Sequence, residues 1–167
     1  MKKFFFFAAI ALMFSCSSGN NNLVDGAYGL DDLLAVVEQE VENTVTVVGY
    51  VTHTCKHSGK KCFIVGESQA VSLQVNVDPE GEIEMFSADL HGSKLAITGI
   101  LKEEHLSEAF IDERESNVLQ LQEEGISLEA CAAELNNISE WRKWMADNNK
   151  DYYVIYYMDG LKYELLD

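Results

Sequence analysis

Four short runs rich in β-branched residues, at 45–54, 62–65, 70–77 and 95–101, follow one another with only glycine, serine and charged residues between them. That texture confines the middle of the chain to a sheet. Runs of four to ten residues punctuated by Ser-Gly or Gly read as strands rather than helices. Between the third and fourth runs, Met85-Phe86-Ser87-Ala88-Asp89-Leu90-His91-Gly92 breaks the pattern and reads as a helical turn ending at Gly92. A further candidate strand lies at 109–112, Ala-Phe-Ile-Asp.

Helical spacing flanks this region on both sides. Leu30, Leu33, Leu34, Val37 and Val41 mark a short amphipathic helix, with Asp31 and Asp32 placed to cap its start. Leu128, Cys131, Leu135, Ile138, Trp141 and Met145 share one face of a second helix. After it, the tyrosine-rich run 152–158 meets 161–165 across Asp159-Gly160, which predicts a hairpin turn. A lone hairpin is marginal in water, so this one is expected to pack on the helix or extend the sheet. Its five tyrosines are expected to be half-buried strand residues.

Three strands, a helical turn and two more strands is the order of an OB-fold, a five-stranded partly open barrel. In this the chain resembles the OB-fold bacterial lipoproteins of the tRNA anticodon-binding-like group. The resemblance covers roughly residues 45–115. It is carried by Val-Val-Gly-Tyr-Val in the first strand, Cys-Lys-His-Ser-Gly-Lys-Lys-Cys-Phe in the first hairpin and Leu-Ala-Ile-Thr-Gly-Ile-Leu-Lys-Glu in the fourth strand. The expected class is α+β, mainly β: an OB barrel with an N-terminal helix and a C-terminal helix plus β-hairpin. A shared fold implies no function by itself.

The start of the chain supplies the location. Lys2 and Lys3 precede an apolar stretch, 4–14, of about 11 residues, the length of a signal h-region and too short for a bilayer span of about 20. Leu12-Met13-Phe14-Ser15-Cys16 then resembles a relaxed lipobox, which implies cleavage before Cys16 and lipid attachment there. Ser17-Ser18-Gly19-Asn20-Asn21-Asn22 suits a flexible tether. The expected organisation is a signal at 1–15, a tether at 16–25, the N-terminal helix and barrel at 26–116, and the C-terminal helix and hairpin at 117–167. The expected location is the cell envelope, lipid-anchored and periplasm-facing in a diderm bacterium.

Charge narrows the partners. The chain carries a net charge of −16, and removing Lys2 and Lys3 leaves ten bases against 28 acids, or −18. Phosphate backbones are bound through Lys and Arg, so nucleic acid is not an expected partner. Anionic membrane surfaces are disfavoured too, which leaves the lipid as the attachment. The partner proper is an unspecified protein or small ligand.

One motif carries chemistry. His53, Cys55 and His57 lead into Ser58-Gly59, and Cys62 follows. Two thiols and two imidazoles are a common zinc set and also suit copper. On a straight strand His53 and His57 stand about 13 Å apart, so Cys55, His57 and Cys62 form the better core of a site and His53 is the fourth candidate. A disulfide between Cys55 and Cys62 is the alternative, contributing about 2.5 kcal/mol through loop entropy in a compartment that permits it. In a third reading the four residues are passive and the loop lysines merely solvate it. His91 and His105 read as surface residues. Gly-x-Ser-x-Gly, phosphate-cradling glycine loops and His-Glu-x-x-His do not occur, and the chain reads as non-enzymatic.

Overall fold

The computed structural model describes residues 24–166. Cys16, the signal and most of the tether lie outside the described residues. The short strand β1 (Tyr28–Gly29) leads into two short helices, α1 (Leu30–Ala35) and α2 (Val37–Glu40). Five longer strands follow: β2 (Thr44–Thr54), β3 (Lys61–Val65), β4 (Ser72–Val77), β5 (Lys94–Ser107) and β6 (Tyr152–Leu166). A 3-10 turn (Ala88–Leu90) separates β4 from β5, and the helices α3 (Glu108–Glu123) and α4 (Leu128–Asp147) separate β5 from β6.

The strands run β2-β3-β4-β6-β5 and close on themselves through β2–β5 pairing, giving a closed five-stranded barrel consistent with an OB-like α+β fold. All contacts in the wall are antiparallel except β4 with β6. β2 makes closure feasible by serving two neighbours. Its first half, Thr44 to Tyr50, pairs with β5, and its second half, Tyr50 to Thr54, pairs with β3 across a register shift between Val51 and His53. Such a bulge bends a strand and raises its twist, as a barrel corner requires.

Alternation sorts the side chains. Val47, Val51, Cys62, Ile64, Leu73, Val75, Leu95, Ile97, Leu101 and Met158 point inward and are at most 1 % exposed. They fill the interior, as side chains do in small barrels. Leu30, Leu33 and Val37 from α1 and α2 join the same core. The sequence predicts one continuous helix here, but the structure breaks it at Val36. Asp31 does not cap it, because the N-cap is Gly29 without a side-chain bond. Instead the Asp31 carboxylate accepts hydrogen bonds from the Ser68 hydroxyl (2.6 Å) and amide (3.1 Å), tying α1 to the β3–β4 loop.

Two expectations for the second half are corrected. Residues 109–112 are not the fifth strand but the first turn of α3, whose N-cap Ser107 accepts a hydrogen bond from Phe110 N. The cap serves one of the open amides of a helix start, and the buried pair Ile111 and Val118 has the seven-residue spacing of a helix face. Likewise Asp159-Gly160 makes no hairpin: residues Tyr152–Leu166 form one strand, which pairs along β5 from Lys94 to Ser107. Gly160 is used for close approach rather than for a turn. A Cβ there would lie 2.8 Å from Val75 Cγ1, and opposite it Gly99 sits where the β5–β6 register shifts. The tail therefore supplies the wall strand that completes the barrel.

Beyond the barrel, the β5–β6 ribbon continues and carries α3 and α4. A second core of Leu106, Ile111, Ile138 and Met145 lies between them, with Trp141, Trp144, Tyr153 and Ile155 against it. No helix of the described residues is long and apolar enough to cross a membrane.

Candidate functional site

The hairpin between β2 and β3 does not gather His53, Cys55, His57 and Cys62 into one site. Thr54 pairs with Cys62, so the two share the inward face, and Cys62 is fully buried in the core. Cys55 follows Thr54 just beyond the end of β2, partly exposed and lining the turn. His53 is exposed on the outer side of the sheet, its ring 5.8 Å from Phe63. His57 is exposed in the turn. Cys55 and Cys62 are free thiols, and among the described residues no three His, Cys, Asp or Glu side chains come together as a metal site. Cys62 thus sits on the inward face of β3, while Cys55 sits past the end of β2 in the hairpin turn.

The two thiols are chemically unlike. Burial pushes the Cys62 thiol up to about 12, so it resists becoming the thiolate that metals and electrophiles need. Cys55 is partly exposed and accepts a hydrogen bond from the Ser58 hydroxyl at 3.3 Å. That bond lowers its pKa, together with the backbone amides of Ser58 and His57 and the nearby charge of Lys61. Cys131 is buried in α4, where its thiol donates to Ile126 O at 3.3 Å.

The hairpin is locked in place. Gly59 N donates to Cys55 O and Phe86 N to Gly59 O, both at 2.7 Å, binding the turn to the segment before the 3-10 helix. A groove of about 300 Å³ lies between them, lined by Cys55, His57, Ser58, Gly59, Met85 and Ser87 among others.

A second feature is assembled only by the barrel. His53 pairs with Phe63, Phe63 with Gln74, Gln74 with Tyr157, and Tyr157 with Lys102. Directly paired residues share a face, so these five side chains form a transverse row across all five wall strands, on the outside. Phe63, Gln74, Tyr157 and Lys102 are half-buried. Beside this row runs another, Lys61, Asn76 and Asp159. Hydrogen bonds knit the two: Gln74 Nε2 donates to Asn76 Oδ1 at 2.8 Å, and Asn76 Nδ2 to Asp159 Oδ1 at 3.4 Å. Each amide has further hydrogen-bonding capacity beyond these. Phe63 and Tyr157 add apolar ring faces, while Lys102 is held aside by an ion pair with Glu42 at 2.6 Å.

Sequence reasoning missed this row. The alternation of Gln74 and Asn76 with Leu73 and Val75 signals an outward polar face on β4. The cross-strand partners, however, depend on register, and Tyr157 arrives from more than 80 residues away. His91 and His105 are exposed, as expected, and His105 stacks on Tyr152 with ring centroids 4.0 Å apart. All five tyrosines of β6 are half-buried.

Compared with known proteins, the chain matches no family model and no curated protein sequence.

Proposed function

We propose that this chain is a non-enzymatic cell-envelope lipoprotein whose OB-like barrel is a ligand- or partner-binding domain. The transverse row His53, Phe63, Gln74, Tyr157 and Lys102 carries the reading. It sets ring faces and unsaturated amide groups side by side on a rigid sheet, and the equivalent outer strands and the first hairpin are where OB-folds bind their ligands. Preorganised groups of this kind bind with little ordering cost. The acidic remainder of the domain directs the site toward a protein or small molecule rather than a nucleic-acid strand. The lipobox-like Leu12-Met13-Phe14-Ser15-Cys16 supports attachment through Cys16 to the periplasm-facing side of a membrane.

Two measurements test this. Labelled fatty acid should be incorporated by the native chain and lost in Cys16→Ser, which should also leave the membrane fraction. Photoreactive residues at positions 63 and 157, in the producing cell, should form discrete adducts that a probe at position 119 on α3 does not. Equal adduct patterns from the sheet and from α3 would remove the sheet face as the binding site.

A second reading, a thiol or metal-handling module, is favoured by the environment of Cys55. Its partial exposure and hydrogen-bonded sulfur are the features of reactive cysteines. Purified protein with stoichiometric zinc or copper that is lost in Cys55→Ser and His57→Ala would support it. Metal-free protein whose Cys55 reacts no faster than an ordinary thiol would exclude it.

A further inference from the structure

In a domain this acidic, the β2–β3 hairpin is electrostatically out of place. Among the described residues, Lys94, Lys102, Arg114 and Arg142 are all held in carboxylate ion pairs. Lys56, Lys60 and Lys61 are in none, as are Lys143, Lys150 and Lys162, but only the hairpin lysines cluster, three cations within six positions. Lys60 Nζ donates to a backbone carbonyl, Glu84 O at 2.7 Å, rather than to a carboxylate. His57 lies between Lys56 and Lys60, exposed. Screening in physiological salt acts over about 8 Å, so the hairpin lysines are shielded from the more distant acids of the domain. Glu84 and Asp89 are exposed in the segment that flanks Met85 to Ala88, and they bias an anion toward Lys56 and Lys61.

Lys56 lines the groove of about 300 Å³ already described, and Lys61 lies close enough for its charge to act on Cys55, another lining residue. The groove also holds Met85, 61 % exposed and the most exposed large apolar side chain of the described residues. A thioether on three rotatable bonds adapts to irregular apolar shapes. The site therefore has a cationic end and an adaptable apolar end, on a loop whose backbone is pinned from both sides. Lysines act on phosphate as point charges, and several of them match a dianion better than a carboxylate. Polyanions are a poor fit, since their length would extend over the acidic surface.

We propose that this groove binds a small phosphate monoester with an apolar body, the phosphate held by Lys56 and Lys61 beside His57 and the body resting on Met85. The ester could be soluble or be the headgroup of a lipid. The proposal uses none of the five side chains His53, Phe63, Gln74, Tyr157 and Lys102 that carry the sheet-face reading, and stands or falls separately from it.

The test is a titration of the full chain in detergent, followed through the amide signals of residues 55–60. Phenyl phosphate should saturate those signals, at least tenfold more tightly than inorganic phosphate. Lys56→Ala with Lys61→Ala should weaken phenyl phosphate at least tenfold. The charge-matched pair Lys143→Ala with Lys162→Ala should not. Met85→Ala should remove the preference for phenyl phosphate over inorganic phosphate. Vesicles of phosphatidylcholine with and without phosphatidic acid form the second arm. A lysine-dependent response to phosphatidic acid as well as to phenyl phosphate assigns a lipid headgroup, and a response to phenyl phosphate alone assigns a soluble ester. No saturation by phenyl phosphate up to about 10 mM, equal losses in the two lysine pairs, or a response to vesicles alone overturns the proposal.

Discussion

Gly99 and Gly160 are paired across β5 and β6 at the step where the register of that ribbon shifts. Neither has room for a side chain. A Cβ on Gly99 would come within 2.7 Å of Met158 Cγ, and one on Gly160 within 2.8 Å of Val75 Cγ1. The two residues let β6 pass close to both β5 and β4, which is how the barrel closes. Gly160→Ala and Gly99→Ala should each destabilise the domain by about 1–3 kcal/mol through overpacking, read as a lower denaturant midpoint. A change below about 0.5 kcal/mol would show that the wall relaxes freely at this point.

The contrast between the two hairpin thiols gives a second prediction. With a thiol-specific alkylating reagent near neutral pH, Cys55 should react at a measurable rate while Cys62 stays protected until the domain unfolds. Ser58→Ala removes the largest cause of the lowered Cys55 pKa, so the pH at which alkylation reaches half its maximal rate should rise. An unchanged pH profile would mean that the hydroxyl does not stabilise the thiolate.

Cys62 also predicts an alkaline limit. Its folded pKa, about 12, exceeds the unfolded value of about 8.5, so the folded state retains the thiol proton longer than the unfolded state does. The resulting stability is complete below about pH 8.5 and is lost as pH rises toward about 12. Denaturant unfolding in this window should fall more steeply with pH for the native chain than for Cys62→Ala. Parallel curves would show that the buried thiol does not contribute.

Both tryptophans of the chain, Trp141 and Trp144, lie on α4 and contact Tyr153 of β6, with ring centroids 5.6 and 5.3 Å apart. Tryptophan fluorescence therefore reports the docking of the helical pair on the ribbon. Tyr153→Ala should loosen that docking by about 2 kcal/mol and shift the emission to the red, while amide exchange in β2, β3 and β4 stays slow. Loss of protection throughout the barrel would show that the two cores fold as one unit.

Much of this architecture was legible from pattern. The β-branched runs at 45–54 and 70–77 became β2 and β4, and the 3.6-residue spacing from Leu128 to Met145 became α4, because in each case the signal is local to the segment. Residues 102–107, Lys-Glu-Glu-His-Leu-Ser, carry no strand signal of their own. They extend only because β6 pairs with them as far as Ser107. Asp159-Gly160 misled for a related reason: the same dipeptide serves a tight turn or a close approach, and only the neighbouring strands show which. For the hairpin, sequence spacing placed Cys55 and Cys62 together as a metal pair or disulfide. The pleat put Cys62 in the core, and the end of β2 left Cys55 partly exposed in the turn.

The chain by itself therefore determined the local and the electrostatic: the strand-forming centre, the two flanking helical regions, the acidity and the isolated lysine cluster. These depend on residues near one another in sequence or on simple totals. Tertiary structure alone decided which strand closes the barrel, which face each hairpin residue takes, and that His53, Phe63, Gln74, Tyr157 and Lys102 form one row. A sheet face is a property of register, and register is set jointly by strands that the sequence holds far apart.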